Sequence, residues 1–156
     1  MMKALIVYDT VFGNTRKVAE VVGEALGARV VKVSDCSPAD FAGIELVVAG
    51  SPTRAFRPTR PMSAFLRSVR RGMLSGAKAA AFDTRADLAT VDSKVLGVLV
   101  RLFGYAAPQM ASRLVRAGAS LAAGPEGFLV TGTEGPMKDG ELERAAEWAR
   151  SLAAGS

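Results

Sequence analysis

Short apolar runs alternate along the chain with stretches in which apolar residues recur every three or four positions. Ala4–Tyr8 is apolar throughout, the pattern of a strand covered on both faces. From Thr15 the spacing changes, and Val18, Val22, Ala25 and Leu26 form one stripe of a helix closed by Gly27. Arg29–Val33 and Leu46–Ala49 predict a second and a third strand, the third ended by Gly50-Ser51-Pro52. Ser63–Val69 predicts a helix and Lys78–Phe82 a fourth strand. Met110, Leu114 and Val115 predict a helix ending at Gly118, and Ser120–Ala123 with Phe128–Thr131 a strand interrupted at Gly124-Pro125. In the closing helix Leu142, Ala145, Ala146, Ala149 and Leu152 share a face, and Glu141, Glu143, Arg144, Glu147 and Arg150 lie outside it. Between Arg85 and Gly104 no period is clear. The apolar run Val95–Val100 with Leu102-Phe103 reads as a short buried helix; its alternatives are a wall for a flat substrate or a docking patch. Five buried strands with helical crossovers make an α/β chain with a three-layer, mostly parallel sheet.

Composition narrows the chemistry. The 156 residues are 49% apolar and 22% charged, which fits a single domain over 1–156 with a full core. One cysteine, Cys36, excludes an internal disulfide; no basic residue lies closer to it in sequence than Lys32, and it reads as an inert thiol. The chain has no histidine, which removes His-ligated zinc, Ser–His–Asp catalysis and an imidazole base. The net charge of +5 is a modest arginine excess, read as a soluble domain with no nucleic-acid partner. The opening apolar run reaches Asp9 too soon for a signal peptide. Arg101 interrupts the 95–103 run well short of a membrane span, so a cytoplasmic chain without a transmembrane segment is expected.

In such sheets ligands bind beyond the carboxyl ends of the strands, where the strand order reverses. The loop after the first strand, Asp9-Thr10-Val11-Phe12-Gly13-Asn14-Thr15, leads straight into a helix. Free backbone N–H groups at a positive helix terminus, with two threonines, an asparagine and a glycine, accept a phosphate without a lysine. The same residues also describe an ordinary strand–helix turn capped by Thr15. Neither G-x-G-x-x-G nor G-x-x-x-x-G-K-[ST] occurs.

Thr10-Val11-Phe12-Gly13-Asn14-Thr15 resembles the FMN-phosphate loop of the flavodoxin family, whose usual form is [ST]-x-T-G-x-T; Phe12 departs from it where threonine is common. Gly50-Ser51-Pro52-Thr53 resembles that family's second flavin loop, and Phe82-Asp83-Thr84-Arg85 stands where the third would be. Phe128-Leu129-Val130, Gly132-Thr133-Glu134-Gly135-Pro136 and Gly140-Glu141 are similar to the C-terminal pattern of a flavodoxin-like subgroup. The resemblance implies a flavodoxin-like three-layer sandwich with a five-stranded parallel sheet in the order 2-1-3-4-5. It implies FMN held by its phosphate at Thr10, Val11, Phe12, Gly13, Asn14 and Thr15. The flavin ring would then lie between Pro52, Thr53, Arg54, Ala55 and Phe56 on one side and Asp83, Thr84 and Arg85 on the other. FAD is disfavoured, because no dinucleotide fingerprint accompanies the loop.

Two departures bear on function. Electron-carrying flavodoxins are usually acidic and stack the ring on aromatics in the second and third loops. This chain is basic, with Phe56 the one aromatic in the second loop and Tyr105 a distant candidate. Residues 51–75 hold six arginines and no acid: Arg67, Arg70 and Arg71 read as a solvated helix face. Arg54, Arg57 and Arg85 are placed either at the flavin or in ion pairs with Asp83, Asp87 or Asp92. Trp148 reads as packing or surface. The expected function is that of an FMN-dependent oxidoreductase passing electrons to or from a small acceptor such as a quinone or porphyrinogen. The alternatives are a single-electron carrier between protein partners and an interaction module without flavin. The oligomeric state is left open.

Overall fold

The computed structural model describes residues 2–88, 93–132 and 134–154. Asp92 and Thr133 lie outside them. The strands are β1 (Ala4–Tyr8), β2 (Arg29–Lys32), β3 (Leu46–Pro52), β4 (Lys78–Ala86), β5 (Ser120–Leu121) and β6 (Glu126–Val130). The helices are α1 (Asn14–Leu26), α2 (Arg60–Ser68), α3 (Lys94–Phe103), α4 (Ala106–Arg116) and α5 (Glu141–Ala154). All strand pairings of the sheet are parallel, in the order β2-β1-β3-β4-β5. β6 continues the edge that β5 begins, pairing Phe82–Ala86 of β4 with Glu126–Val130. The fifth strand is thus one strand in two pieces, and the order is the expected 2-1-3-4-5.

Alternation along the strands builds the two faces. Leu5, Val7, Val47, Ala49, Ala79 and Ala81 face α2 and α4, where Met62, Leu66, Met110 and Leu114 complete one core. Ala4, Ile6, Leu46, Val48, Ala80 and Phe82 face α1 and α5, against Val18, Val22, Ala145 and Leu152. Phe82, Phe128 and Trp148 meet edge to face with centroids 5.7–6.0 Å apart, so Trp148 is packing. Gly50, paired with Phe82 across the β3–β4 ladder, leaves room for that ring; any side chain there would collide with it.

Elements β3, β4, α2 and α3 differ from the sequence reading. β3 runs on through Gly50, Ser51 and Pro52, and β4 through Ala86, because each supplies the other's hydrogen bonds beyond the apolar core. α2 starts at Arg60, three residues early, since Thr59 accepts the Met62 N–H at 3.3 Å and Pro61 suits a first turn. α3 forms but buries none of its residues: Val95, Val98, Leu102 and Phe103 are 54–70% exposed. Lys94–Arg116 is long and apolar enough by length and composition to cross a membrane. It is nevertheless broken at Gly104-Tyr105, and its α4 half packs on the sheet through Ala106, Ala107, Met110, Ala111 and Leu114.

Candidate functional site

The carboxyl ends of β1, β3 and β4 open on one cleft of about 450 Å³, within the usual range for small-molecule and cofactor sites. β1 lies where the strand order reverses, so this is the switch point of the sheet. The loop from β1 to α1 is shaped by short hydrogen bonds. Asp9, buried at the strand end, accepts the Thr10 N–H at 2.9 Å, and Thr10 Oγ1 accepts the Gly13 N–H at 3.0 Å. Gly13 stands at the helix N-cap with φ 93°, a conformation that side-chained residues avoid. Among the described residues, no side chain caps α1. Its first N–H groups and the positive end of its dipole therefore face the cleft, a site that stabilises an anion.

The remaining loops are tied to this one. Thr59 Oγ1 donates to Asp9 Oδ2, joining the start of α2 to the end of β1. Thr15 and Thr84 hydroxyls meet at 2.7 Å beneath the cleft, both buried. Asn14 Nδ2 donates to the Glu134 carbonyl at 2.8 Å, fastening the segment after β6 to the first loop. Arg54-Ala55-Phe56-Arg57 is a tight turn closed by Arg54 N–H to Arg57 O at 2.7 Å and Arg57 N–H to Arg54 O at 3.0 Å. Its central residues, Ala55 and Phe56, have φ 48° and 69°. Both side-chained residues thus sit in the left-handed region, at a cost of roughly 1–2 kcal/mol each.

Eleven of the expected site residues line the cleft: Thr10, Val11, Phe12, Asn14, Thr15, Pro52, Thr53, Arg54, Ala55, Thr84 and Arg85. Gly13 shapes the loop without lining it. Phe56 turns away, its ring 5.6 Å from Phe103 in the neighbouring groove. Asp83 is fully buried beneath, where it accepts from Arg85 Nε at 2.7 Å, Arg85 Nη2 at 2.8 Å and the Ala107 N–H at 2.9 Å. Burial pushes its carboxyl up, and the Arg85 guanidinium opposes that shift. Arg85 itself lies over the Tyr105 ring at 3.4 Å. Of the two readings for these arginines, Arg85 therefore takes the ion pair, and Asp87 is engaged by Lys138 at 2.8 Å. Arg54 makes no ion pair among the described residues and lies 5.6 Å over the Phe12 ring, across the mouth of the cleft.

Sequence reasoning passed over four contributors. Ala86 lines the cleft because β4 runs further than its apolar core suggests, and Val130, inside the predicted strand, lines it as the last residue of β6. Asp9 and Thr59 position both loops; an N-cap threonine two residues before a proline was the available signal for Thr59. Cys36 stands apart from the cleft, half-buried, and burial pushes its thiol up to about 11, in keeping with an inert residue.

Fold and cleft together define an open, doubly wound α/β domain with a ligand-sized site at its switch point. The chain belongs to the flavodoxin domain family, whose sequence pattern matches residues 5–102. Among solved structures, oxidised Flavodoxin 1 from Bacillus cereus is similar at 16% identity and TM-score 0.76, over 97% of each chain. Flavodoxin 2 from the same organism is similar at 21% identity and TM-score 0.72, over 97% of this chain and 98% of that one. Rubredoxin oxygen:oxidoreductase from Desulfovibrio gigas is similar at 20% identity and TM-score 0.62, over 98% of this chain but 36% of its own. No curated protein sequence matches.

Proposed function

We propose that this chain binds FMN in the switch-point cleft and acts as an oxidoreductase toward a small acceptor such as a quinone or porphyrinogen. The observation that carries the reading is the uncapped N-terminus of α1 behind Thr10–Thr15, opening on a cleft of cofactor size. A phosphomonoester brings roughly −1.5 to −2 charge at neutral pH, which a helix terminus and backbone N–H groups stabilise. Thr10 and Thr15 would hold the phosphate, while Arg54, Ala55 and Thr84 would flank the ring. FMN, when bound, supplies electron exchange at its ring system, so the protein need not contribute an acid or base. What the residues do is bind, orient and leave an opening.

That opening favours a small acceptor over a protein partner. Phe12, at the mouth, is the one aromatic lining the cleft; Tyr105 is occupied by Arg85, and Phe56 by Phe103. A ring held there keeps a face accessible to a flat molecule. The reading includes a cytoplasmic location, which the single unpaired Cys36 suits. Steady-state reduction of a soluble quinone by reduced pyridine nucleotide, followed on FMN-loaded protein, tests the enzymatic part. Catalytic turnover is expected. FMN-loaded protein that exchanges electrons with a protein donor but turns over no quinone would be a carrier instead.

A further inference from the structure

The turn that walls the flavin cleft has a second side. There a groove of about 520 Å³ runs between α2 and α4, floored by the buried Leu66 and Met110 and edged by the Phe56 and Phe103 rings. Three arginines line it from three separate elements: Arg57 from the turn, Arg67 from α2 and Arg113 from α4. Arg57 and Arg67 also line an adjoining depression of about 930 Å³ together with Arg54 and Arg60. Among the described residues, no carboxylate lines either hollow. The ion-paired cations Arg16, Arg29, Arg85, Lys138 and Arg144 all lie elsewhere.

Arg70 and Arg71 line neither hollow, whereas Arg67, on α2 and exposed like them, lines both. Three exposed arginines from three elements border one concavity whose floor is apolar. Convergent polar groups over an apolar floor are the composition of a ligand site, and the volume lies within the usual range. Guanidinium matches carboxylate and phosphate oxygens in pairs, and an anion relieves the mutual repulsion of the three cations. The wall is also pinned: Gln109 Nε2 donates to the Phe56 carbonyl at 2.7 Å and holds the left-handed turn in place.

We propose that this groove binds an organic anion with an apolar body and one or two carboxylate or phosphate groups. The site is distinct from the flavin cleft and does not depend on the flavin reading. Ala55 lines both, so the occupant would lie across one turn from the cleft.

Calorimetric titration tests the ligand class with three probes: 2,6-naphthalenedicarboxylate, 2-naphthylmethanol and inorganic phosphate. The dicarboxylate is expected to bind saturably at one site per chain, about tenfold or more tighter than either other probe. Arg67→Gln and Arg113→Gln are each expected to weaken it about fivefold. Arg150→Gln, on α5, and Gly13→Val, in the flavin loop, should leave it unchanged. Equal affinity for the alcohol would show that charge plays no part, and equal affinity for phosphate that the floor plays none. Either result, or no saturable binding, or unaltered binding by both arginine variants, overturns the proposal.

Discussion

Ala55 and Phe56 show how a local conflict marks the site. A two-residue turn with both φ angles positive ordinarily uses glycine or asparagine, and no glycine occurs between Ser51 and Arg71. The turn holds because Arg54 and Arg57 close it and Gln109 anchors it from α4. Ala55→Gly should relieve the strain while giving the unfolded chain more freedom. The expected net gain is about 0.5–1 kcal/mol in denaturant unfolding; a clear loss would mean that the turn is not strained. The same turn separates two arginines that sequence reasoning treated alike. Arg54 overhangs the switch-point cleft, whereas Arg57 lines the groove behind it. A nearby cation favours the anionic reduced flavin, so Arg54→Gln should lower the midpoint potential of FMN-loaded protein by tens of millivolts, on the order expected for a screened charge. Arg57→Gln should shift it less. Potentiometric titration of both variants decides this, and a larger effect from Arg57 would reverse their assigned places.

Among the elements, α5 carries an anchor that its apolar stripe conceals. Glu141, first in the helix, is buried: its carboxylate accepts the Leu129 N–H at 2.7 Å and Arg144 Nε and Nη2 at 2.9 and 2.8 Å. Arg144 reaches on to Glu126 at 2.8 Å and lies over Phe128, so one network clamps α5 to β6. The Arg144 guanidinium and the Leu129 N–H hold Glu141 below its ordinary carboxylate range. A lowered folded value means stability that is present above the unfolded pKa and lost as pH falls through the folded one. Thermal unfolding of the parent should therefore lose stability as pH drops below about 4.3, the ordinary value for a glutamate. Glu141→Gln should be less stable at neutral pH, with a shallower fall in acid; parallel pH profiles would contradict the assignment. This network was not legible in the sequence, because a helical stripe reports apolar contacts and is silent about a buried carboxylate. The strands were legible as continuous apolar runs separated by helical stripes, and their order only through the resemblance to the flavodoxin family. The ends of β3 and β4 were not, because Ser51, Asp83 and Thr84 hold their places by ladder hydrogen bonds rather than apolar burial. The exposure of α3 was missed for the opposite reason: its apolar period implies a covered face, and no described element covers it.

Across the whole molecule, the parallel sheet brings β1, β3 and β4 to one edge and places their loops around a single cleft. Most of the first loop's place in the cleft was readable, because the lining residues fall in one consecutive stretch, Thr10 to Thr15. The ties that give it shape were not, since Asp9–Thr59, Thr15–Thr84 and Asn14–Glu134 join residues far apart in sequence. The central claim is that this loop holds the phosphate of FMN, and flavin fluorescence during titration of flavin-free protein measures it directly. FMN should bind at one site per chain, riboflavin about tenfold or more weakly for want of the phosphate, and Gly13→Val should bring FMN down toward riboflavin. Equal affinity for FMN and riboflavin, or FMN binding untouched by Gly13→Val, would contradict the account.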